Sequence, residues 1–370
     1  MTSHAVADVV VVGCGGLGSA TAAELARRGR RVVAFDAFEP LHTFGSSHGT
    51  ERIVRAAYTD QMYAALAVEA LDGWRALEEE TGEQLLNLCG GLDTGFLDEL
   101  DLIEANLRAV GVPCEMLDTA EANRRLPGFR FEWPVLWQPT AGTVNADLAL
   151  ATFQRVAVGA GADLRFGCAV DDIEVIDDRV VVRAGGVEVT ASVCVITTGA
   201  WADRLSDGLV TLPALTVTDE QVFFFQPVFD MRWPTFITRT VPEMYGLPTP
   251  DGLVKAGGHY EGPVCDPDQR PDLDDEARRG VSEWITANVP WLDPTPVRST
   301  RCLYASYPDE DFVIDRVGPI VLGVGLGGHG FKFLPELGWR MADLCDGESL
   351  TENPFTVVRT PRHVGPSGHK

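Results

Sequence analysis

Apolar positions in this chain fall into two kinds of run. The first is Val9–Val12, four β-branched residues with no polar break. A half-exposed strand alternates apolar and polar residues, whereas one covered on both faces does not. The run leads into Gly13-Cys14-Gly15-Gly16-Leu17-Gly18, then an alanine-rich helical stretch over 19–28 stopped by Gly29, then a second apolar run over 31–35 that ends in Asp36. This pattern predicts strand, glycine turn, helix, strand and acid. It returns in part later. An apolar run over 191–195 enters Ile196-Thr197-Thr198-Gly199-Ala200-Trp201, and a buried run over 320–325 breaks into Leu326-Gly327-Gly328-His329-Gly330-Phe331-Lys332-Phe333 before a helix over about 335–345. Residues 142–161 read as a loop and an amphipathic helix, 163–173 and 179–189 as strands, and 301–304 as a short strand.

The second kind of run is aromatic and β-branched and lies among many prolines, as in 221–225 and 236–240. It predicts antiparallel strands. The expected fold is therefore α/β with an α+β part: a Rossmann-like dinucleotide-binding domain (1–84, 141–210 and 296–370), into which an antiparallel-sheet substrate domain is inserted twice (85–140 and 211–295). The charged stretch 266–279 reads as a solvated loop running into a helix.

Composition narrows the partners. The 370 residues carry a formal charge of −24, which repels phosphate backbones and anionic bilayers, so neither nucleic acid nor a membrane is expected. No apolar run is long enough to span a bilayer and the first residues carry no secretory pattern, so a cytoplasmic protein is expected. The eight cysteines are scattered, without metal-type spacing, and read as reduced thiols. Only three residues are lysine: Lys255, Lys332 and Lys370.

The glycine turn has a specific chemistry. Gly13 makes the tight turn, Gly15 lets a pyrophosphate approach the backbone, and Gly18 lets helix and strand pack closely. The helix N-terminus offers unpaired N–H groups to the phosphates, and Asp36 is placed to accept from ribose hydroxyls. An adenine dinucleotide is expected; this motif alone does not separate NAD from FAD.

The residues after Asp36 separate them. Asp36-Ala37-Phe38-Glu39-Pro40 and Gly45-Ser46-Ser47-His48-Gly49-Thr50-Glu51-Arg52-Ile53-Val54-Arg55 replace the continuing βα alternation of an NAD domain. Arg52 and Arg55, three apart, read as one face of a helical turn. These stretches resemble the D-amino-acid-oxidase superfamily of FAD oxidoreductases, and within it the monomeric sarcosine oxidase and N-methyltryptophan oxidase family. So do Gly328-His329-Gly330-Phe331-Lys332-Phe333, the Cys302-x-Tyr304 element upstream, and Tyr245-Gly246-x-Pro248 followed by Lys255-x-Gly257-x-His259. The resemblance covers essentially the whole chain.

The resemblance implies a monomeric FAD enzyme that oxidises a small amino-acid-derived amine at its C–N bond and passes electrons to O2, giving H2O2. Sarcosine or another N-methyl or N-alkyl amino acid is the implied substrate class; a fructosyl amino acid, a ring amine, or electron transfer to a protein partner are the alternatives. Cys302 is implied as a covalent thioether to the flavin. Arg55 and Lys332 are implied to hold the substrate carboxylate, with His48 and Arg52 beside the flavin ring, Tyr245, His259 and Tyr304 lining the cavity, and Lys255 on the opposite flavin face as the cation that assists O2. Ser46, Ser47, Gly199, Trp201, Gly325, Gly328 and Gly330 complete the implied cofactor contacts. Glu51 stands where the family has a neutral residue.

Overall fold

The structure is a computed structural model that describes residues 3–351 and 353–359. Lys370 lies outside the described residues. Strand Val9–Val12 sits in the middle of a six-stranded sheet, ordered Asp163–Arg165, Val32–Phe35, Val9–Val12, Val193–Ile196, Ile320–Val324 and Val313–Val317. The first five are parallel and the last is an antiparallel edge. The unbroken valine run follows from covering both faces. Val9 and Val11 pack with helices Gly16–Arg27, Ala146–Gly159 and Leu334–Asp346, while Val10 and Val12 pack against a four-stranded sheet containing Arg179–Ala184 and Val187–Ala191. Each such valine, fully buried, contributes about 1.5–3 kcal/mol.

The second body is an eight-stranded sheet: Arg298–Ser306, Thr216–Phe225, Val254–Gly258, Met244–Pro248, Thr235–Arg239, Gly91–Gly95, Val135–Gln138 and Glu115–Leu117. It is not wholly antiparallel. Thr235–Arg239 runs parallel to Gly91–Gly95, at the seam where two distant stretches of chain meet. One face packs on helix Asp275–Asn288 through Phe223, Phe225, Phe236, Val254 and Ala256. Because side chains alternate along a strand, Val222, Phe224, Tyr245, Leu247 and Lys255 are left to the other face, where they line a cavity.

Several local expectations change. Arg52–Val54 is a strand, not a helical turn; the β-branched Ile53-Val54 pair joins a three-stranded sheet with Gly142–Val144 and Leu86–Asn87. The stretch 163–173 is two strands, broken at Gly167, which has φ +60°. The stretch 179–189 is a hairpin turning at Gly185-Gly186, both at positive φ. The short strand at 301–304 extends over Arg298–Ser306, because the whole length of Thr216–Phe225 is available to pair with it.

Candidate active site

Two cavities adjoin at the ends of the parallel strands. The first, about 340 Å³, opens over the N-terminal turn, and the second, about 390 Å³, lies between that turn and the large sheet. Leu17, Ser46, Ser47, Leu326 and Gly327 line both, so the pair forms one elongated site.

In the first cavity the turn is built as its glycines require. Gly13 sits at φ +93°, and a Cβ there would lie 2.7 Å from the Thr197 carbonyl oxygen. A Cβ on Gly18 would lie 1.8 Å from the Gly13 carbonyl oxygen, so only glycine lets the helix begin this close to the strand. The Asp36 carboxylate accepts from the Cys14 N–H at 2.7 Å and the Phe38 N–H at 2.9 Å. These bonds fix Asp36 at the cavity wall, with lone pairs to spare. Gly15, Gly199 and Trp201 also line this cavity. The Trp201 indole N–H donates to Asp268, so its ring rather than its N–H is available there. Gly325 lines neither cavity. A Cβ there would meet the Tyr307 ring at 2.4 Å, so its role is packing, as is that of Gly18.

The loop between the cavities is tied by its own arginine. Arg52 donates to the carbonyls of Ser46 (2.8 Å), His48 (2.5 Å) and Glu51 (2.8 Å). It therefore holds the loop rather than bridging to the Glu51 carboxylate. The Ser47 hydroxyl accepts from the Gly16 N–H at 2.9 Å, and the Ser46 hydroxyl donates to the Leu303 carbonyl. Cys302 Sγ lies 3.9 Å from the Arg52 guanidinium and 3.7 Å from the Ser46 carbonyl, on the wall of the second cavity.

The second cavity collects His48, Arg52, Arg55, Tyr245, Lys255, His259, Cys302, Tyr304, Gly328, Gly330 and Lys332. Burial beside Arg52 and Lys255 takes the His48 imidazole down to about 4, so it is neutral at pH 7. Its Nε2 has no hydrogen-bond partner among the described residues. On one wall Lys332 donates to the Tyr58 hydroxyl (2.9 Å) and the His329 carbonyl (2.8 Å). The Arg55 guanidinium lies 4.7 Å over the Tyr58 ring. Burial and the Arg55 and Arg239 guanidiniums hold the Lys332 ammonium well below its usual range. On the other wall Lys255, 7% exposed, lies 3.3 Å from Glu51. Burial pushes the Tyr245 and Tyr304 phenols far up, and the two hydroxyls interact. The His259 ring stands at 5.7 Å from that of Tyr304.

Sequence reasoning did not find Tyr58, His329 or the acids behind Arg55. Tyr58 follows Arg55 by three residues, and His329 sits inside the quoted glycine motif, so both had a local signal. Asp93, Arg239 and Glu243 had none. Arg239 donates twice to Asp93 (2.8 and 3.0 Å) because Gly91–Gly95 and Thr235–Arg239 pair side by side from distant stretches of the chain, and Asp93 also lies 3.7 Å from Arg55.

The site fits a bound dinucleotide and an anionic substrate on its own evidence. The turn takes a backbone no side chain would allow, and the second cavity brings together Arg55 and Lys332, whose ammonium is suppressed by burial and by the Arg55 and Arg239 guanidiniums. Arg55 Nη1 is buried there with no hydrogen-bond acceptor among the described residues.

Comparison with known proteins gives the family. Residues 8–344 match the FAD dependent oxidoreductase (DAO) family. The chain is 32% identical to monomeric sarcosine oxidase of Streptomyces avermitilis, over 91% of this chain and 93% of that protein. It is 30% identical to N-methyl-L-tryptophan oxidase of Yersinia pestis, over 90% and 92%. Among solved structures it is similar to NikD, an unusual amino acid oxidase essential for nikkomycin biosynthesis, at TM-score 0.85 and 27% identity over 97% of this chain and all of that one.

Proposed function

Because the chain belongs to the FAD-dependent oxidoreductases of the D-amino-acid-oxidase type, within the monomeric sarcosine oxidase and N-methyltryptophan oxidase family, we propose that it oxidises a secondary-amine amino acid at its CH–NH bond and reduces O2 to H2O2. We read it as a monomer of the cytoplasm whose substrate is sarcosine or another N-alkyl amino acid. The observation that supports the reading is the gathering in one cavity of Arg55 and Lys332, both against Tyr58, with Lys255 and Tyr245 of the large sheet.

Bound FAD supplies the electron acceptor for the C–N oxidation and then the electrons for O2. The protein's part is to bind, orient and polarise. Arg55 and Lys332 receive the substrate carboxylate, which supplies the anion that Lys332 lacks. The carboxylate and the backbone-tied loop at 46–52 fix the C–N bond relative to the turn that holds the cofactor. Tyr245, His259 and Tyr304 close the cavity around the amine. Lys255 places a cation where charge develops on O2.

An anaerobic panel of N-alkyl amino acids tests this: the flavin absorbance is expected to bleach with at least one of them and recover on admitting air, with H2O2 formed. No bleaching with any amine, in a protein that carries FAD, would sink the reading. Cys302 is the proposed thioether anchor. Acid-precipitated protein is then expected to stay yellow, and Cys302→Ala protein to give a white precipitate and a yellow supernatant. Release of all flavin from the unaltered protein would remove the anchor from the proposal.

A further inference from the structure

Glu51 is 2% exposed, and its carboxylate is divided between two partners. One oxygen lies 3.3 Å from Lys255 Nζ, and the other accepts from the Thr50 hydroxyl. The groups around Lys255 come from several elements. His48, Glu51 and Arg52 face it from the 46–52 region, and Cys302 from strand Arg298–Ser306. Phe224 and Leu247 stand opposite it on the neighbouring strands. Glu51 is the one carboxylate among them.

This corner opposes a charged lysine in two ways. It is buried, and it already holds the Arg52 guanidinium, and both push the ammonium below its ordinary range while Glu51 pulls it back. A carboxylate also takes away part of a cation's field at points a few ångströms in front of it, whereas a neutral amine has no such field to offer. A paired ammonium is thus weaker than a lone one but stronger than none.

We propose that Glu51 is a positioning residue for the O2 half of the reaction, which keeps Lys255 charged inside the cavity and makes the O2 step insensitive to pH at the cost of part of the cation's field. The proposal rests on the functional reading above. Its first test does not require turnover. The chain has only three lysines, so brief acetylation with acetic anhydride at pH 7, read by peptide mass, reports the neutral fraction of each amine separately. In the flavin-loaded protein, Glu51→Gln is expected to raise labelling of Lys255 about tenfold, the change in neutral fraction that comes from losing one pKa unit of support. Labelling of Lys332 and Lys370 serves as the internal reference. Unchanged relative labelling of Lys255 would overturn the proposal.

The second test monitors flavin reoxidation by O2 from pH 6 to 9 after reduction with dithionite, so that it does not depend on the amine. The unaltered protein is expected to give a level profile, and Glu51→Gln a rate that falls as pH rises and Lys255 loses its proton. Parallel profiles would overturn the proposal. If Glu51→Gln does not fold, Glu51→Asp keeps the charge but draws it back, and must label Lys255 to an extent between unaltered protein and none of the protection; no rise at all counts against Glu51. Flavin-loaded protein that no amine bleaches would instead sink the functional reading and leave the labelling result standing.

Discussion

Lys255→Met is expected to slow reoxidation of the reduced flavin by O2 on the order of 10²-fold, while reduction by the amine changes by only a few-fold. The magnitude is that of removing one preorganised electrostatic group from a water-poor site. The asymmetry comes from position. Lys255 shares its wall with Tyr245 and Cys302, whereas the carboxylate-binding cations Arg55 and Lys332 belong to the wall built on Tyr58 and the 328–333 turn. Rapid-mixing absorbance of the two half-reactions separates the effects, and equal slowing of both would end the assignment. The substitution also strands Glu51. An acid at 2% exposure that loses its cation is left uncompensated, and about 3 kcal/mol of stability is expected to go with it. Adding Glu51→Gln to Lys255→Met should restore the denaturation midpoint and leave the O2 rate slow.

Arg55→Ala is expected to raise the dissociation constant of carboxylate-bearing substrates and inhibitors by about 10²-fold, the scale of truncating one partner of a buried charge pair, with FAD still bound. Arg55 suits a carboxylate because its nearest acid is already engaged. Asp93 receives two bonds from Arg239 and reaches Arg55 only at 3.7 Å. The same arrangement keeps Arg55→Ala from leaving Asp93 unpaired, so stability is expected to change little. Binding should also depend on pH through Lys332. In the free protein its ammonium is suppressed by burial and by Arg55, and a bound carboxylate restores it. Between those two values binding takes up a proton, so affinity is highest below the free-state value and falls as pH rises. Replacing Arg55 removes one of the suppressing cations and shifts the onset of that fall to higher pH. Equilibrium titration of the flavin spectrum with a carboxylate inhibitor, repeated across pH, checks both expectations. An affinity unaffected by Arg55→Ala would place the carboxylate elsewhere.

Much of the dinucleotide half was legible along the chain, because its signals are local. Four consecutive valines can only be buried on both faces, and the 1.8 Å approach of a Gly18 Cβ to the Gly13 carbonyl shows why the glycine spacing is rigid. The misreadings were of residues whose state is set by a distant partner. Arg52 and Arg55 at a spacing of three suggested a helix. Pairing with Gly142–Val144, some ninety residues on, made a strand of Arg52–Val54 instead. The parallel junction inside the large sheet has no sequence signature at all, since it depends on two segments from separate stretches running side by side.

The sequence by itself determined the class of fold, the cofactor turn and the residue types of the site, because periodicity, glycine spacing and rare lysines are properties of neighbours in the chain. Only the tertiary structure decided which charges meet. Glu51 was visible as an odd acid beside Arg52, yet its carboxylate turns to Lys255, two hundred residues away, while Arg52 spends its donors on backbone carbonyls. Asp93 and Arg239 carried no signal until a sheet seam set them behind Arg55. Charge pairing acts through distance and burial, and neither is a property of position along the chain.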